Sequence, residues 1–139
     1  MKVSRVLTIA SGLLVHISVQ AQHPAESHAP KVTQEIILRQ VLNEANLKGK
    51  EVQMLIVDFP PGIISSAHRH PCQTFGYLLE GELESEFEGK HYSYKAGDAF
   101  YELPNGLHSL TKNPSPTQSA KLLVFFILDT GMATSVRDN

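Results

Sequence analysis

Two histidines one residue apart, His68 and His70, stand ahead of the apolar stretch FGYLLE and a glycine-centred turn at Gly81. In an extended chain residues two apart point to the same side, so both imidazoles face together. Imidazole nitrogens ligate Fe, Mn, Ni, Cu and Zn alike, and two of them on one face are a common start to a metal site. Alone the pair is weak evidence, because paired surface histidines are frequent. His108 strengthens it, since it opens another strand just after Pro104-Asn105-Gly106. Three imidazoles from two strands can converge on one divalent ion at about 2.0–2.1 Å each. Such sites often include a carboxylate, yet His70 is followed by Pro71, Cys72, Gln73, Thr74 and Phe75. His91 lies beside the Gly89 turn and reads as exposed.

The elements that must position these rings read as short strands. EVQMLIVDF, 51 to 59, alternates and stops at Pro60-Pro61-Gly62. In ELESEF, Leu83, Ser85 and Phe87 alternate with three glutamates, which is the pattern of a strand with one wet face. Glu88-Gly89-Lys90 and Ala96-Gly97-Asp98 supply hairpin turns, and KLLVFFILDT closes the domain. TQEIILRQVL suits a helix by composition, but its adjacent Ile36, Ile37 and Leu38 suit a strand, and strand agrees with everything downstream. Many short strands with closely spaced turns predict an antiparallel sandwich or barrel. The last strand is apolar on both faces, with Leu122, Val124, Phe126 and Leu128 on one and Leu123, Phe125 and Ile127 on the other. That predicts an outer face covered by a second copy, hence a homodimer, or by the N-terminal arm.

The start of the chain has a different character. Lys2 and Arg5 precede a mostly apolar run from Val6 to Val19, and Val19-Gln20-Ala21 fits the small-residue pattern before a cleavage site. This is the layout of a secretory signal peptide over 1–21, and the run is shorter than the roughly 20 residues of a membrane span. A polar arm with His23 and His28 follows over 22–31, then a domain over 32–131 and a C-terminal tail over 132–139. Export would leave 10 basic residues against 14 acidic ones, which excludes a basic footprint for nucleic acid. A periplasmic or secreted protein with Cys72 as its one cysteine has no intramolecular disulfide, and nothing anchors it to a membrane after cleavage.

The spacing of these residues resembles the cupin superfamily, including the barrels akin to quercetin dioxygenase. Its first motif runs G, five residues, H-x-H, three or four residues, E, six residues, G. Here Gly62, His68, His70, Thr74 and Gly81 keep every spacing, with threonine where the acid belongs. Its second motif runs G, five residues, P-x-G, two residues, H, three residues, N. Gly97, Leu103, Asn105 and His108 occupy those places, with Pro104 and Gly106 each displaced by one and Asn113 one beyond. The resemblance covers about Val32 to Gly131 and implies an all-β double-stranded β-helix, a jelly-roll barrel, with a metal inside. It also implies three histidine ligands, His68, His70 and His108, and leaves the fourth open.

Thr74 shares parity with both histidines and would face the interior, but a neutral hydroxyl is a poor ligand. Gln73 offers a better oxygen if a bulge at Pro71-Cys72 turns it inward. Cys72 is a further alternative, as a thiolate or simply as a small buried group. Gly76 would leave space in the barrel for a ligand. Of Tyr101 and Glu102 one faces inward, and an inward Glu102 would act as general base or hydrogen-bond a substrate. The resemblance implies a metal-dependent dioxygenase acting on a small organic molecule. A binding module that captures a small molecule or a metal without turnover is the alternative, and a barrel with no metal a third; fold alone does not decide.

Overall fold

A computed structural model describes residues 29–138. The leader read at 1–21 and most of the arm at 22–31 lie outside them. Ten strands follow in order: β1 Thr33–Val41, β2 Lys50–Phe59, β3 His68–Arg69, β4 Gln73–Glu80, β5 Glu82–Phe87, β6 Lys90–Lys95, β7 Ala99–Glu102, β8 Leu107–Lys112, β9 Ala120–Asp129 and β10 Val136–Arg137. They form two five-stranded antiparallel sheets, ordered β1-β2-β9-β4-β7 and β10-β3-β8-β5-β6. The chain switches sheets repeatedly, as the expected double-stranded β-helix requires. TQEIILRQV is a strand, pairing antiparallel with β2.

The alternation in sequence becomes an inside and an outside. Leu55, Val57 and Phe59 on β2, Leu78 on β4, and Leu122, Val124, Phe126 and Leu128 on β9 are buried between the sheets, opposite Leu83 on β5. Fully burying an aliphatic side chain of this size contributes about 1.5–3 kcal/mol. The sharp turns use residues that tolerate left-handed backbone: Glu88 and Gly89, both with positive φ, close the β5–β6 hairpin.

Two expectations are corrected. The chain does not end its fold at Gly131, because Val136 and Arg137 pair with Arg69 and His68 as β10. The segment was too short and too polar to read as a strand. Gly76 does not open room for a ligand either. A Cβ there would lie 2.1 Å from Cζ of Phe100, its direct partner on β7, so the missing side chain makes way for that ring.

Candidate metal centre

The two motifs meet through strand pairing. β3 runs antiparallel to β8 with His68 directly opposite His108. His70 follows β3 in the link to β4, with its ring 5.2 Å from that of Phe126 between centroids. The turn before His108 is tied to the histidine segment, since the Asn105 amide donates to the His70 carbonyl at 2.7 Å and Arg69 donates to the Asn105 carbonyl at 2.7 Å. Asn105 has φ of 63°, and Gly106 leaves room for Phe87, whose Cζ a Cβ would meet at 2.2 Å. The displaced Pro and Gly of the second motif therefore still deliver His108 inward. One ligand atom from each of His68, His70 and His108 lies within 4.8 Å of the others.

Hydrogen bonds fix which nitrogen of each ring faces the centre. Nδ1 of His68 lies 2.9 Å from the Ser66 carbonyl, and Nδ1 of His70 lies 2.6 Å from the Thr134 carbonyl. A carbonyl oxygen only accepts, so each Nδ1 carries the ring proton and each Nε2 presents a lone pair. Those two Nε2 atoms are 3.2 Å apart. Two lone pairs at that distance repel unless a proton or a cation lies between them. Burial pushes both imidazoles below their ordinary pKa, which disfavours the proton. Ligands about 2.1 Å from one ion sit roughly 3.0–3.4 Å apart, so the spacing suits a metal.

His108 is arranged to the same end. Its Nε2 is held by the hydroxyls of Ser85 at 3.0 Å and Thr111 at 2.7 Å. Its Nδ1 is buried with no hydrogen-bond partner. An orphaned ring nitrogen is costly to bury, and a metal ion would satisfy it. The donor set therefore fits a divalent ion, with backbone carbonyls and hydroxyls orienting the rings from behind.

Glu102 is buried and faces this centre, as parity allowed, while Tyr101 is exposed. Its carboxylate lies 3.2 Å from Nδ1 of His108 and 3.9 Å from Nε2 of His70. Gln73, considered as a ligand, is not one. It lies on the outer face, where its side-chain oxygen accepts a hydrogen bond from the Tyr101 hydroxyl. The chain enters β4 without the inward bulge that would have turned Gln73, so simple alternation holds. Thr74 is inward and buried, but its hydroxyl donates to the Cys72 carbonyl at 3.2 Å. Cys72 packs in the hydrophobic core, where burial pushes its thiol up, away from the thiolate a metal needs. His91 is exposed, near Glu86. Ser66, Ser85, Thr111 and Thr134 escaped the sequence reading, and only the parity of Ser85 with Leu83 and Phe87 hinted at an inward hydroxyl.

A cavity of about 90 Å³ opens onto the centre, walled by Leu55, Val57, Phe100, Leu122 and Val124 and bordered by Val32 and Ser135. No Lys or Arg is among the described residues that line it.

With two sheets, an inward H-x-H and a third histidine in place, residues 55–126 match the cupin domain family. The chain belongs to the cupin family. This cupin is 40% identical over 68 residues to oryzines biosynthesis cluster protein J of Aspergillus oryzae, a match spanning 48% of this chain and 37% of that protein. In structure it resembles an uncharacterised protein with a double-stranded β-helix domain from Klebsiella pneumoniae (TM-score 0.59, 19% identity, covering 84% of this chain and 90% of that one). It also resembles the DMSP lyase DddQ of Ruegeria pomeroyi (TM-score 0.54, 24% identity, covering 62% and 42%). At these identities the structural likenesses speak for the fold alone.

Proposed function

We propose that this cupin binds one divalent transition metal (Fe, Mn, Ni, Cu or Zn) through His68, His70 and His108, and uses it as a metal-dependent dioxygenase on a small organic molecule. The observation that carries the metal is the pair of Nε2 lone pairs facing each other at 3.2 Å, each fixed by a backbone carbonyl behind its ring. A bound metal would supply Lewis acidity and open positions for oxygen and substrate. The chain's own residues do the rest. Ser66 and Thr134 hold the ring tautomers, and a largely apolar wall borders the reacting face. A compact diketone would meet mainly apolar walls in this cavity.

Export to the periplasm or beyond, and pairing as a homodimer, belong to the same proposal. The apolar outer sheet face supports the second; the leader-like residues 1–21 support the first.

Elemental analysis of protein purified without chelator, beside His70→Ala, tests the metal. Near-stoichiometric metal in the parent and little in the variant is expected. Equal, near-zero metal in both would remove the proposal. Oxygen uptake with diketones then separates turnover from capture, since a loaded protein that consumes no oxygen is a binding module.

A further inference from the structure

The acid missing from the first motif has a spatial replacement. β4 and β7 pair antiparallel, and in that register Thr74 is directly opposite Glu102. Side chains of directly opposed residues leave the same face with Cβ atoms about 4.5–5.5 Å apart. A carboxylate that leaves position 74 can therefore be supplied from position 102 and still reach the same point. Glu102 is buried, at 4% exposure, and the charged or chargeable groups within salt-bridge range of it are His70 and His108. A buried carboxylate is costly without a compensating charge. Neither histidine provides a satisfactory one: Nε2 of His70 presents a lone pair, and Nδ1 of His108 makes no hydrogen bond although an oxygen of Glu102 is 3.2 Å away. One carboxylate oxygen of Glu102 thus lies 3.2 Å from Nδ1 of His108 and the other 3.9 Å from Nε2 of His70, so the carboxylate on β7 reaches both rings. Thr74 meanwhile commits its hydroxyl to the Cys72 carbonyl and is smaller than a glutamate, leaving the space beside it to Glu102.

From this juxtaposition we infer that Glu102 is the carboxylate ligand of the metal centre, taking over across the β4–β7 pair the place that Thr74 vacates. This rests on the proposed metal site and deepens it. The centre becomes three imidazoles and one carboxylate, and the net charge of a bound divalent ion with its ligands falls from +2 to +1. Glu102 is then a ligand rather than a free general base.

The test is nickel binding by competition with a chromophoric chelator at neutral pH, on the full protein, Glu102→Gln and the double variant Thr74→Glu/Glu102→Gln. Far-UV circular dichroism of each apo form checks the fold. Glu102→Gln should bind nickel on the order of tenfold more weakly or worse, the size of loss known even for groups that only support a ligand. The double variant should regain most of that loss, and the copper-loaded forms should show the same reversal in their electron paramagnetic resonance spectra. Parent-like affinity in Glu102→Gln would overturn the inference, and so would a weakened Glu102→Gln that the glutamate at 74 fails to rescue. A parent protein that takes up no nickel would instead overturn the metal reading itself.

Discussion

At the residue scale, the absent side chain of Gly76 makes way for the ring of Phe100, its direct partner on β7. Gly76→Ala should destabilise the domain by about 1–3 kcal/mol through overpacking against Phe100, measured by urea unfolding. Combining it with Phe100→Leu, which shortens the offending ring, should recover part of the loss; an additive double variant would show that the ring is not the cause. The sequence alone suggests space for a ligand at Gly76, because cross-strand register is not written in it. The three histidines are legible, since strand parity and motif spacing depend on local sequence. What orients them is not: the carbonyls of Ser66 and Thr134 carry no side-chain signature, and Thr134 comes from a segment 64 residues beyond His70.

At the element scale, the β9 run of apolar residues is legible as a strand, and its inner half is buried as expected. The outer half belongs to a wider apolar surface. Met54, Phe125, Phe75 and Tyr101 form one row across β2, β9, β4 and β7, and Ile56, Leu123 and Tyr77 form the next. Phe75 and Tyr77 are 39% and 43% exposed, and the edge strand β1 is exposed along its whole length. Contiguous apolar faces and long open edges of this kind mark association surfaces. Light scattering should therefore give a dimeric mass, and Phe75→Lys with Tyr77→Lys should give a monomer that keeps its circular dichroism spectrum. A monomeric parent at micromolar concentration would count against the dimer. β10 was illegible for the opposite reason: its two paired residues show no periodicity, and only the register with β3 makes them a strand.

At the scale of the whole molecule, turn spacing points to an all-β sandwich or barrel and the family resemblance to its double-stranded β-helix form, while neither signals a buried charge on β2. Glu51 is fully buried on β2, where its carboxylate accepts from Gln53 at 2.5 Å and from Arg39 at 3.1 Å. Gln53 foremost, and Arg39 after it, hold its pKa below the ordinary range. The unfolded chain thus binds this proton more tightly than the folded one. Its contribution to stability is complete above the unfolded value of about 4.3 and disappears as the pH falls through the lower folded value. Urea unfolding should show Glu51→Gln less stable than the parent at neutral pH, with the gap closing in acid; a gap independent of pH would exclude the mechanism. Metal adds to the same balance. A divalent ion at a hundredfold excess over its Kd should stabilise the folded form by about 2.7 kcal/mol, seen as a rise in Tm that a chelator reverses.

The direct opposition of His68 and His108 on β3 and β8 reaches further than ligand geometry. A slip of one residue between those two short strands would swing one imidazole out of the barrel, since successive side chains alternate faces. A coloured ion such as cobalt would then act as a vernier on the pairing. Its absorption during refolding would time the moment when two stretches of chain forty residues apart lock into alignment, without any label added to the protein.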